Sequence, residues 1–289
     1  MKLVASTRFA RVSIAPLAAL LIAGSTGTPL EHGVANAQTS PATSRAARIT
    51  AVYQIALNGF DIGNFRYTSD VNGPSYTLTS DVELSLLMGA FHWKGVSRTT
   101  GTAASTGPRP ASFGFDYQSS LKDGSVRMGF TKGVVDTVSI EPPAAPVPDA
   151  VPLRREHLSN VFDPLTAILA LTQDTGSQPC TRKLPIFDGK QRFDLQLTYL
   201  RQEPIDGTME TASVCRVKYV PIAGFRATEE TANLARSTGI EISFRPVAGA
   251  KLFVPQKIVL PTLAGAAEIT VQNVQIDTPG SGQVALINE

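Results

Sequence analysis

The chain has 289 residues, with 26 Lys and Arg against 24 Asp and Glu and a formal net charge of +2. It contains three histidines and two cysteines. A charge this balanced argues against a nucleic-acid binder, which needs a basic surface excess. So few His and Cys residues offer little from which to assemble a metal centre.

Lys2, Arg8 and Arg11 flank an apolar run from Ile14 to Ala23, and Ala35-Asn36-Ala37 precedes Gln38 as a small-x-small site. This pattern predicts a secretory signal peptide over residues 1–37, cleaved after Ala37, and a periplasmic destination. Retention of the leader as an anchor is the alternative. The leader carries three of the basic residues and one acidic residue, Glu31, leaving 23 of each sign in the remainder. In an oxidising space, Cys180 and Cys215 are expected to form one structural disulfide. A redox or metal role is the alternative, but the chain has no C-x-x-C.

Residues 38–48 are rich in Ser, Thr and Ala, without apolar period, and read as a disordered lead-in. From Ile49 a meander begins. Ile49, Ala51, Tyr53, Ile55 and Leu57 alternate with more polar neighbours, as a half-buried strand does. Asn58-Gly59 supplies a tight hairpin turn, Gly63 marks a bulge in the return strand, and Asn72-Gly73 turns the chain again. Tyr76, Leu78, Val82, Leu84 and Leu86 mark one face of the next strand. Further on, Phe113, Phe115 and Tyr117 share a face. Asp123-Gly124 is expected to turn that strand into the one bearing Val126, Met128 and Phe130. Residues 141–152 hold five prolines, which a sheet interior does not accept; they read as a crossover loop within one domain spanning 49–276.

The segment from Phe162 to Gln173 is the most strongly apolar helix signal after the leader. Asp163 suits the N-cap and Pro164 the first helical position. Leu165, Ile168, Leu169 and Leu171, with Ala167 and Ala170, spread apolar surface around most of the circumference, so the helix should be buried. Gly176 and Pro179 are its expected stops. Two readings stay open: a plain core helix, or a plug over an apolar cavity. After Cys180, strands resume with turns at Asp188-Gly189 and Asp206-Gly207. Residues 228–236 have weak helical character, three more strands follow, and 277–289 read as a flexible tail.

The sequence contains no catalytic constellation. No G-x-S-x-G elbow, H-E-x-x-H, P-loop or dinucleotide fingerprint is present. His157 lies among charged neighbours and reads as solvated, and His92 reads as a sheet-edge or loop residue. Asp188, Arg192 and Asp194 read as a turn and the polar face of a strand. Neither a cofactor nor a metal is expected.

Four stretches carry a family resemblance: the opening hairpin from Tyr53 to Gly63, Asp163-Pro164-Leu165-Thr166-Ala167, the stretch from Phe187 to Leu195, and the ending from Pro255 to Gly265. On these, the chain resembles the exported bacterial family known as domain of unknown function 3108. More distantly, the order of elements is similar to the half-barrel of periplasmic lipoprotein carriers, which holds acyl chains in its hollow. That likeness is one of fold, and fold does not fix function.

The expected architecture is therefore mainly β (α+β): a strongly curved antiparallel sheet, or incomplete barrel, wrapped around the apolar helix. The expected function is non-catalytic binding of a lipid or other apolar envelope component. Phe113, Phe115, Tyr117, Met128 and Phe130 on the sheet, with Leu165, Ile168 and Leu169 on the helix, are the candidate cavity wall. The same residues would serve equally as plain core. The alternative function is a structural or interaction protein, pairing a partner strand at a sheet edge.

Overall fold

Asn58 and Gly59 both take positive φ, 51° and 83°, as a tight two-residue hairpin requires. They fold β1 (Ala47–Leu57) onto β2 (Phe60–Asn72). The computed structural model describes residues 47–86, 89–104, 106–143, 149–173, 178–226, 228–247, 250–278 and 282–287. The predicted leader and residues 38–46 of the lead-in lie outside them, as does Gly176.

The meander continues through β3 (Ser75–Leu86), β4 (Phe91–Ala104), β5 (Gly107–Ser119), β6 (Asp123–Thr131) and β7 (Val134–Glu141). Helix α1 (Pro164–Thr172) follows, then β8 (Lys183–Phe187), β9 (Arg192–Pro204) and β10 (Thr211–Ala223). Helix α2 (Glu229–Arg236) precedes β11 (Glu241–Val247), β12 (Leu252–Thr262), β13 (Gly265–Thr278) and β14 (Gly282–Ile287). The fourteen strands form one antiparallel sheet, not closed, thirteen of them in the order β7-β6-β5-β4-β3-β2-β1-β13-β12-β11-β10-β9-β8, with β14 beside β13 off this path. Strand β1 joins the halves, pairing with β2 on one side and β13 on the other.

β13 has a third neighbour. Its first half, Gly265–Thr270, pairs with Lys257–Thr262 of β12. Its second half, Asn273–Thr278, pairs with β14 instead. Leu252 to Pro255 of β12 pair with β11 but not with β13, so the two strands diverge there, and Leu252 also bridges Gln173 at the end of α1. Pro255 has no N–H to give a neighbour and sits beside this divergence. A bulge at Gln272 keeps Ile269, Val271, Val274 and Ile276 on the interior face, opposite Ile49, Ala51, Tyr53 and Ile55.

α1 starts as its sequence predicts. The Asp163 carboxylate, fully buried, accepts from Leu165 N at 3.0 Å and Thr166 N at 3.1 Å. It also accepts from the hydroxyls of Thr99 on β4 (2.8 Å) and Thr166 (2.5 Å). Because Thr166 donates there, its oxygen accepts the Tyr76 hydroxyl of β3 at 3.0 Å. Burial pushes the Asp163 pKa up, and these donors oppose it. The cap therefore ties the helix to two strands. At the other end, Arg182 donates to Leu171 O at 2.9 Å and to the carbonyls of Ala170 and Gln173, where a cation suits the helix dipole. Leu165 and Leu169 pack with Tyr67, Leu78, Phe113, Met128 and Phe130. Ala167 packs with Leu184 and Ile186 of β8.

Cys180 and Cys215 are bonded, with Cα atoms 5.2 Å apart, and both are buried. The bond fastens the turn after α1 to β10. In the loop-entropy account, closing this loop contributes roughly 4 kcal/mol.

Several expectations are corrected. Ala47 and Arg48, placed in the lead-in, begin β1 and pair with Val71 and Asp70. The tail is not loose through 277–287: Val284 and Leu286 pack against the cluster containing Val274 and Ile276, and the Pro-Gly-Ser-Gly run masked this short alternation. The bulge in β2 falls at Ile62 rather than Gly63. Asp123-Gly124 is not the β5–β6 turn but the start of β6. Ser119 makes the turn, its oxygen accepting from Leu121 N and Lys122 N. Gly124 is needed for space, since a Cβ there would meet the Tyr117 hydroxyl at 2.5 Å.

Candidate functional site

The residues that could carry chemistry are accounted for locally. His92 is exposed, its N–H bonded to Ser120 Oγ at 3.0 Å. Half-buried His157 accepts from Arg154 N at 3.2 Å. Asp188 accepts from Lys190 N and Gln191 N at 2.8 and 2.7 Å, closing its own turn. Asp194 departs from the expected solvated face: it is buried between Arg192 at 2.6 Å and Lys183 at 2.9 Å, an ion pair supporting β8 on β9. Among the described residues, no group of three or more His, Cys, Asp or Glu is placed to hold a metal ion. No helix of these residues is long and apolar enough to cross a membrane.

Among the described residues lies an apolar cavity of about 320 Å³, at the lower end of the range of small-molecule sites. Its floor is the interior face of β1, from Ile49 through Ala51 and Tyr53 to Ile55. Phe65 and Tyr67 of β2 and Val82 of β3 extend that wall. α1 supplies Ile168, Leu171 and Thr172. The diverging strands supply Leu252 to Pro255 of β12 on one lip and Val274 of β13 on the other. None of the eighteen lining residues is charged. The cavity thus lies where β12 leaves β13, beneath one face of the helix.

Its few polar atoms are informative. Thr172 donates to Leu169 O at 3.0 Å, within the helix. Tyr53 and Tyr67 are 6% and 3% exposed. Burial pushes both phenols well above their ordinary pKa, and Tyr53 adds a smaller upward push on Tyr67, so both stay neutral across physiological pH. The Tyr67 hydroxyl is sealed from the cavity, lying against Ser69 near Asp163. Tyr53 makes no side-chain hydrogen bond among the described residues.

Of the eight residues proposed for the wall, Ile168 lines this cavity. Phe113, Met128, Phe130, Leu165 and Leu169 are buried in a filled cluster instead, with Phe115 packed at its margin. Tyr117 stacks on Phe115 at 5.7 Å. The strand residues that do form the wall were visible as an alternating pattern in β1. Nothing in that pattern distinguished a wall facing space from one facing side chains.

A family model described as Protein of unknown function (DUF3108) matches residues 52–272. Among solved structures, one similar chain is a beta-barrel-like protein of the domain of unknown function DUF1849 from Brucella abortus. Identity to it is 12% and the TM-score 0.47, covering 82% of this chain and 100% of that one. No curated protein matches. A family model that accounts for residues 52–272 of the chain places it, by more than its four short motifs, in the family Protein of unknown function (DUF3108).

Proposed function

We propose that this is a non-catalytic periplasmic protein that holds a lipid or other apolar envelope component between sheet and helix. In this reading the sheet curves around α1 as an incomplete barrel, and the leader is removed after Ala37. The observation that carries it is the uncharged cavity of about 320 Å³ between α1, β1 and β12. A cavity lined this way stays dry when empty, so an apolar ligand is the occupant it suits. Native mass spectrometry of protein purified from the periplasmic fraction tests the reading. The expected species begins at Gln38 and carries an apolar molecule recoverable by solvent extraction. Protein that retains nothing and binds no long-chain fluorescent probe would refute it.

A second reading rests on β7. This edge strand exposes Asp136 to Ser139 in succession, including Val138 at 42%, and could accept a partner strand. A photo-crosslinker at Val138 should then capture one defined protein in cells. Labelling no different from that at a buried control position would count against it.

A further inference from the structure

A single exposed leucine is ordinary on a protein surface, but here the barest apolar side chains gather at one end. Among the described residues four large ones are more than 70% exposed: Phe60, Leu121, Met209 and Leu263. Phe60, Leu121 and Leu263 sit at hairpin tips, between β1 and β2, β5 and β6, and β12 and β13. A row of paired residues runs across the sheet from Lys257 on β12 through Gln54 on β1 to Gln118 on β5. All three tips lie on the same side of that row, a few residues beyond it. β10 runs from its own turn toward that side, so Met209 lies at the opposite end. Asn58 fastens two of the tips together: its Nδ2 donates to Ala264 O at 2.7 Å and its Oδ1 accepts from Ala266 N at 3.0 Å. The interior face also leads here from the cavity. Ile55, Ile258 and Ile269 line the cavity; Leu57, Leu260 and Ala267 follow them on that face, and Leu57 pairs with Phe60.

We infer that this end of the sheet is a contact site for a lipid bilayer, into whose surface Phe60, Leu121 and Leu263 insert. The tips stand on different strand pairs, with neighbouring strands about 4.8 Å apart, and exposed Asp61, Lys122, Asp123 and Thr262 flank them. A protein partner is held by a continuous, closely packed patch. A bilayer needs only apolar side chains that protrude beyond a polar rim, and its hold grows with the apolar area immersed. Tips already fixed by Asn58 immerse with little ordering entropy against them. Lys122 is offset by Asp61 and Asp123, so the contact is apolar and does not draw on anionic head groups. It requires no ligand. Its use in loading, by setting the apolar strip from Phe60 down to Ile55 against the bilayer, rests on the cavity reading.

Co-sedimentation of the full mature protein with phosphatidylcholine vesicles tests it. Wild type should sediment with them, and phosphatidylglycerol in the vesicles should not strengthen its binding. Phe60→Ser, Leu121→Ser and Leu263→Ser together should weaken binding roughly a hundredfold or more, since each immersed side chain contributes about tenfold. Met209→Ser, equally bare but at the other end, should change nothing. All four side chains are exposed, so the variants should unfold at the wild-type temperature. Wild type that stays in the supernatant, a triple variant that binds undiminished, or an equal loss in Met209→Ser would overturn the inference. So would binding only to vesicles with phosphatidylglycerol, or self-association in place of vesicle binding. N-phenyl-1-naphthylamine reports separately on the cavity. None of the three residues lines it, so the triple variant should hold this probe as wild type does. No probe binding by either protein would sink the cavity reading and leave the bilayer contact standing.

Discussion

The two faces of α1 meet different interiors. Leu165 and Leu169 enter a filled cluster with Tyr67, Leu78, Phe113, Met128 and Phe130. Ile168 and Leu171, on the same nine-residue helix, border a cavity of about 320 Å³. The side chains are of the same kind, so the difference lies in what stands opposite. Aromatic and long side chains from β2, β5 and β6 reach the first face. Across the second stand β1, with Ala51 at its centre, and a place where β12 and β13 separate. Apolar composition measures what avoids water, and it does not measure how much space is left between two avoiding surfaces.

The largest expected effect that separates the two faces is in truncation. Leu169→Ala should cost about 3 kcal/mol in urea unfolding, because a fully packed site collapses poorly around the void. Ile168→Ala, beside space that is already open, should cost roughly 1–2 kcal/mol. Equal costs would mean the cavity is filled in solution.

Enlargement should give a somewhat smaller contrast. Ala167→Leu forces three carbons against Leu184 and Ile186 and should lose roughly 1–3 kcal/mol. Ala51→Leu points the same atoms into the cavity and should change stability by less than about 1 kcal/mol. It should nevertheless weaken binding of an apolar probe, which Ala167→Leu should not.

The smallest effect concerns the anchor common to both faces. Burial raises the pKa of Asp163 in the folded protein, so the folded state holds that proton more tightly than the unfolded chain does. The stability this contributes is fully present below the unfolded pKa. It is lost as pH rises from there through the raised folded value. Asp163→Asn has no proton to lose in that window, so its unfolding midpoint should fall less across it than wild type's. Parallel pH profiles for the two proteins would contradict the assignment.

Most of the secondary structure was legible because its causes are local. Asn58-Gly59 adopts the backbone that a tight hairpin demands, and Asp163 caps α1 with its own neighbours' N–H groups. The failures have local causes too. Asp123-Gly124 has the composition of a turn, yet its glycine answers to Tyr117 across the strand pair. The alternation in β14 is only Val284 and Leu286, too short to stand out beside a Pro-Gly run. The candidate wall missed for a different reason. Phe113 and Tyr53 are both aromatic residues on the interior face of a strand. One meets Leu165 and Leu169 in a packed cluster, and the other faces the opening under β12.

From the sequence alone came the succession of strands along the chain up to β13, the helix with its cap, and the pairing of Cys180 with Cys215, because each depends on neighbouring residues or on there being no other partner. Tertiary structure alone decided that β1 joins the two halves of the sheet, that β13 changes neighbour midway, and that empty space lies beneath that change. Those outcomes depend on the distance between surfaces built from residues as far apart as Tyr53 and Val274. Periodicity reports which way a side chain points, and carries no record of what it will meet.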